Sequence, residues 1–176
     1  MQFKFKHSKI TFNTKAKLVN GLNVTFVFAE DAKSVYQELT KNPQAILVED
    51  LNKLSGLVVH NDTILMSLGA KSKFTSDGLV NVATSLAKFV ASREISEINL
   101  HLTNLHAEKL ALSYAELVEK FIVDFGNGLY YFDDFKTEKT KLALEKVHVS
   151  SDEDLSKALA NAVAILEGYF IVRDLA

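Results

Sequence analysis

The feature that most constrains this chain is the way its apolar residues change period. Val24-Thr25-Phe26-Val27-Phe28, Ala45-Ile46-Leu47-Val48, Leu57-Val58-Val59, Ile64–Leu68 and Ile98–Leu102 are short aliphatic or β-branched runs of strand length. Between and after them the spacing turns helical. Val35, Tyr36 and Leu39 share one face of a stretch starting at Asp31. Leu79, Val80, Ala83, Leu86, Ala87 and Val90 do so behind the N-cap residues Thr75-Ser76-Asp77. A longer stripe of Leu110, Tyr114, Leu117, Val118, Phe121 and Phe125 predicts a helix from about Leu105 to Phe125. Leu155, Leu159, Ala162, Val163, Leu166 and Phe170 predict a last helix, which Gly168 weakens. Strands that alternate with amphipathic helices bury both kinds of face only in layers. The expected fold is therefore α/β, three layers with a mixed central sheet, over one domain spanning 1–176.

Punctuation refines this reading. Phe3 and Phe5 alternate with Lys4 and Lys6, the pattern of a half-buried first strand ending near Thr11 and Phe12. Asn20-Gly21 is a turn that would join this strand to the one at 24–28 as an antiparallel edge. His60-Asn61-Asp62 is a turn between two strands, and Gly126-Asn127-Gly128 is expected to break the long helix. Leu142–Val149 reads as a strand, and Ser151 with Asp154 has capping-box spacing. Glu116 and Lys120 form an i,i+4 pair on the long helix.

The chemistry-bearing residues form no catalytic set. The chain has no cysteine, which removes disulfides, thiol nucleophiles and thiolate metal sites. His7, His60, His101, His106 and His148 lack the i,i+4 spacing of a helical metal site and read as surface or loop residues. Asp133-Asp134 are adjacent, so their side chains diverge, while Glu49-Asp50 and Asp152-Glu153-Asp154 read as helix-start acids. Gly69-Ala70-Lys71-Ser72 lacks the upstream glycine of a phosphate loop. Ser67 and Ser113 have no glycine-flanked elbow. No catalytic and no metal-binding residue is assigned. A formal net charge of −2 argues against wholesale nucleic-acid binding. Even so, Lys4, Lys6, Lys9, Lys15 and Lys17 all precede the first acidic residue, Glu30, and make a possible anion-binding stretch, for DNA or another anion. The chain start has no apolar leader, and no run reaches membrane-spanning length, so a cytoplasmic protein without a membrane partner is expected.

Two motifs carry a resemblance. Leu129-Tyr130-Tyr131-Phe132, followed by Phe135 and Lys136, is similar to the L-x-Y-x-F-x-x-Y-K segment of leucyl (cytosol) aminopeptidases, with Phe135 where that family has tyrosine. Gly168 through Arg173-Asp174-Leu175 resembles the G-x-x-x-x-R-D-L end of the helix that leads into their catalytic domain. Leu65–Lys71 resembles a strand ending in a G-L-G-K-like turn, and Lys139-Thr140-Lys141 fits the family's lysine-rich loop. The resemblance covers roughly residues 57–176.

It implies a non-catalytic, macro-domain-like N-terminal domain, with about 151–176 leading to the catalytic domain. The intact enzyme it implies is a cytoplasmic homohexamer that removes N-terminal residues, preferably leucine, with two divalent metals (zinc or manganese). The family's metal motif, N-T-D-A-E-G-R-L, does not occur in this chain. No cofactor is therefore expected in the chain itself. Its expected partner is the catalytic domain, and its expected role is assembly or regulation.

Overall fold

A computed structural model describes residues 1–5, 8–15, 21–42, 49–105, 110–131 and 142–175. Among these residues seven strands form one sheet: β1 (Gln2–Phe5), β2 (Ser8–Lys15), β3 (Leu22–Val27), β4 (Leu57–His60), β5 (Thr63–Ser67), β6 (Glu97–His101) and β7 (Lys146–Ser150). Their spatial order is β1-β2-β7-β6-β3-β5-β4. The five inner strands run parallel, and β1 and β4 close the two edges antiparallel. Among the described residues four α-helices accompany them: α1 (Ala32–Thr40), α2 (Ser76–Ala91), α3 (Tyr114–Leu129) and α4 (Ser156–Leu175).

The alternation in the strands decides which layer each face meets. Ile10 and Phe12, Val147 and Val149, Ile98 and Leu100, Val24 and Phe26, Ile64 and Met66 all enter one core with α2, α3 and α4. Each fully buried side chain of this kind contributes about 1.5–3 kcal/mol. A smaller cluster of Val27, Leu65, Ala32 and Leu51, with Val35, Tyr36 and Leu39 of α1, covers part of the other face. The result is the expected three-layer α/β arrangement with a mixed sheet.

Six local expectations are corrected. The first strand is two, β1 and β2, paired Gln2↔Thr11 through Phe5↔Ser8. The hairpin expected across Asn20-Gly21 is not formed, because β2 pairs with β7 and β3 with β5 and β6; Asn20 itself lies outside the described residues. The antiparallel edge on that side is made by β1. The long helix starts late, at a capping box in which Ser113 Oγ accepts from the Glu116 N–H and Glu116 accepts from the Ser113 N–H at 2.8 Å. Glu116 is thereby engaged, and Lys120 pairs instead with Asp124 at 3.2 Å. At α4 the Ser151–Asp154 box does not form: Asp154 accepts from the Ser156 N–H at 2.9 Å and Ser151 from that of Glu153 at 3.0 Å.

The sixth correction concerns Gly126-Asn127-Gly128, through which α3 continues. A Cβ on Gly126 would lie 2.5 Å from Leu166 Cδ1 of α4, and one on Gly128 would lie 2.7 Å from Ala87 Cβ and 2.9 Å from Thr84 Cα of α2. These glycines serve close helix packing, not termination. The strand read at 45–48 lies outside the described residues.

Candidate functional site at the ends of the last two helices

The two motifs behind the resemblance meet in space. Leu129 is buried at the end of α3. Tyr130 follows as the C-cap residue, its N–H donating to Asn127 O at 3.3 Å. Its ring packs on Phe170 of α4, with centroids 5.1 Å apart. The Arg173 guanidinium sits 4.9 Å from the ring centroid, and the Tyr130 hydroxyl donates to Asp174 Oδ1 at 3.0 Å. Tyr130 thus holds the last turn of α4 by an aromatic contact, a cation–π contact and a hydrogen bond, the cation–π term being about 0.5–1 kcal/mol at an exposed site. Leu175 is 82% exposed and a Cβ on Gly168 would touch nothing within 4 Å. Phe132, Phe135 and Lys136, with Asp133-Asp134 and Lys139–Lys141, lie outside the described residues.

At this junction the Asp174 carboxylate is engaged by the Tyr130 hydroxyl. Among the described residues no three His, Cys, Asp or Glu side chains gather as a metal site requires. The described residues therefore offer no ligand set for the two metals implied for the intact enzyme.

One polar constellation escaped the sequence reading. His148, expected at the surface or in a loop, is 2% exposed, and its Nε2 lies 2.7 Å from Glu97 Oε1. Lys146 Nζ donates to the other oxygen of Glu97 at 3.3 Å. Burial opposes ionisation of Glu97, but the hydrogen bonds from His148 and Lys146 outweigh it and hold the carboxyl below its usual range. Asn99, also buried, donates to Asn23 at 3.2 Å. The parallel register explains the grouping. Lys146↔Glu97 and His148↔Asn99 are neighbours between β7 and β6, and Asn99↔Asn23 between β6 and β3. The signal was the alternation Lys-Val-His-Val beside Glu-Ile-Asn-Leu, which places polar residues on one face of both strands. Of the other histidines, His60 ends β4, and burial pushes the pKa of half-buried His101 down. His7 and His106 lie outside the described residues.

The turn after β5 offers no free anion cradle. Both oxygens of Glu30 accept from the Lys71 N–H, at 3.0 and 3.1 Å. This agrees with reading Gly69–Ser72 as a turn and not a phosphate loop. The basic stretch is spread out. Lys4 and Lys9 are register partners across β1 and β2, while Lys15 lies six residues further along β2, about 20 Å away. Lys6 and Lys17 lie outside the described residues. Lys9 and Lys146 line a cleft of about 370 Å³, but Glu145 lines it too. No helix among the described residues is long and apolar enough to cross a membrane.

Neither a protein-family model nor a curated protein sequence matches this chain. Solved structures do. A tomato leucine aminopeptidase carrying a K354E substitution superposes with a TM-score of 0.73 at 16% identity, over 99% of this chain and 39% of its own. The bottromycin maturation enzyme BotP gives 0.58 at 14% identity, over 85% of this chain and 31% of its own, and its complex with Mn gives 0.58 at 15%. This chain therefore spans about a third of the length of the proteins it is similar to, and at such identity the likeness establishes a shared fold.

Proposed function

We propose that this chain is the N-terminal, non-catalytic domain of a leucyl aminopeptidase, with a role in assembly or regulation of the enzyme. The carrying observation is the fold likeness to tomato leucine aminopeptidase over 99% of this chain and 39% of that one. The meeting of the two motif segments at Tyr130, Phe170, Arg173 and Asp174 supports it. Under this reading peptide hydrolysis, the zinc or manganese pair, the hexamer and the cytoplasmic setting belong to the larger protein. The pure 176-residue chain should release no p-nitroaniline from leucyl p-nitroanilide, with or without manganese or zinc. The reading frame of the source gene should continue past Ala176 into a carboxylate-and-lysine metal motif. Metal-dependent turnover by the pure chain, or a stop directly after Ala176, would overturn the proposal.

A second reading, an anion-binding edge, rests on the facing register of Lys4 and Lys9. Phosphate contacts by two lysines give a log–log salt slope of about −2 on duplex DNA. If the edge binds DNA, Lys4→Glu with Lys9→Glu should flatten that slope and weaken binding at least about tenfold in low salt. Fluorescence anisotropy with a labelled duplex measures both, and an unchanged slope removes this reading.

A further inference from the structure

We infer that the cleft between β2 and the chain leading into β7 binds a small zwitterion, a free α-amino acid. β2 supplies Ser8, Lys9 and Thr11 to one wall, and Leu142, Glu145 and Lys146 stand on the other. The cleft holds about 370 Å³. That is the small end of the roughly 300–1,000 Å³ of small-molecule sites, and it suits a ligand of amino-acid size.

The backbone fixes both walls in place. Ser8 is buried, and its Oγ accepts from the Leu142 N–H at 2.9 Å, which ties the second wall to the first. The Thr11 N–H donates to the Glu145 carbonyl at 2.8 Å. The N–H groups of Glu145 and Lys146 both donate to the Ser96 carbonyl, at 2.8 and 3.1 Å. Two residues opposing one is the pattern of a β-bulge, which interrupts the alternation of side chains. Two consecutive residues, Glu145 and Lys146, thereby line one cleft, where an unbroken strand would send them to opposite faces.

The charges of the cleft select the ligand. Lys146 is committed, its Nζ paired with Glu97 at 3.3 Å. Lys9 and Glu145 are exposed, and neither forms an ion pair among the described residues, with the other or elsewhere. One open cation and one open anion therefore share a cleft without meeting. A simple anion is drawn to Lys9 but repelled by Glu145, and a simple cation meets the reverse. A molecule carrying both an ammonium and a carboxylate satisfies both, with its carboxylate on Lys9 and its ammonium on Glu145. Exposed charges are screened by water and salt, so the affinity is about millimolar and falls as salt is added. In a leucyl aminopeptidase a free amino acid is the released product, and the site would report its level to the enzyme. That role rests on the proposed function, whereas the binding does not.

Titration of the isotope-labelled 176-residue chain with L-leucine, followed by amide NMR, should shift the resonances of Lys9, Thr11, Glu145 and Lys146. N-acetylleucine lacks the ammonium and leucinamide lacks the carboxylate, so each should bind about fivefold more weakly or worse. Lys9→Met and Glu145→Gln should each weaken leucine binding to a similar extent. Neither should lower the melting temperature, because both side chains are exposed and unpaired. Absence of shifts with leucine, shifts confined to other residues, N-acetylleucine binding as well as leucine, or unchanged affinity in either variant overturns the inference. None of these outcomes touches the aminopeptidase reading, which the turnover assay and the reading frame test separately.

Discussion

Gly128→Val is expected to destabilise the protein by about 3 kcal/mol, although it replaces a poor helix former in the interior of α3. Two effects oppose each other. Removing a helical glycine gains up to about 1 kcal/mol, less for a β-branched replacement. The added carbons, however, enter space that α2 already fills, since the Cβ alone would stand 2.7 Å from Ala87 Cβ, 2.9 Å from Thr84 Cα and 3.2 Å from Thr84 O. None of these atoms can rotate away, so the two helices must separate along a contact that continues through the fully buried Leu86, Val90 and Phe121. Steric cost therefore wins. At about 2–4 °C per kcal/mol for a chain of this size, the melting temperature should fall by roughly 6–12 °C in a calorimetric scan. Gly126→Ala should lie between, because its neighbours are atoms of the Leu166 side chain, which can shift but is itself fully buried. Gly168→Ala is the control, with open space and an expected gain of about 1 kcal/mol. A Gly128→Val protein as stable as the parent would mean that α2 and α3 are not in close contact at this point.

These glycines also mark where sequence reasoning reaches its limit. Gly126-Asn127-Gly128 has the composition of a loop, and only the approach of two other helices makes it helix interior. That information lies in Thr84, Ala87 and Leu166, distant in sequence. The same limit accounts for the strand order. Local patterning found the runs at 24–28, 57–59, 64–68 and 98–102, and of the run at 142–149 only the second half, since β7 starts at Lys146. It could not tell that β2 pairs with β7, because the partner lies more than a hundred residues away. Two readings with a local cause agree with the structure. Thr75 caps α2, accepting from the Gly78 N–H at 3.2 Å, and the turn at Asn61-Asp62 joins β4 to β5. The missed start of α3 was also local: Ser113 and Glu116 stand at capping-box spacing, but the stripe begun at Leu110 outweighed them. Of the candidate site, the two motifs were legible as separate segments, whereas their meeting at Tyr130 depends on how α3 and α4 pack. His148 was hardest to place, because an alternating strand gives the same pattern whether its polar face is wet or covered.

That covered face supplies the second large effect. Glu97→Ala should cost about 2–3 kcal/mol, as it strips the partner from His148 Nε2 in a place where Nδ1 already has none among the described residues. His148→Leu should cost less, about 1 kcal/mol, because Glu97 keeps Lys146 and its side chain retains 19% of its exposure to water. Adding His148→Leu to Glu97→Ala should then recover about 1–2 kcal/mol, since an apolar side chain leaves no buried nitrogen unpaired. Urea unfolding of the four proteins closes the cycle. Acidity gives an independent check with a defined sign. The folded carboxyl of Glu97 lies below its ordinary value of 4.5, so its contribution is complete above that value and is lost as the pH falls through the lower, folded one. The gap between the parent and Glu97→Ala should accordingly narrow below about pH 4.5. A gap that stays constant into acid would mean that Glu97 stabilises the sheet by packing and not as an ionised partner of His148 and Lys146. In that case the double variant would recover nothing, so the two measurements must agree.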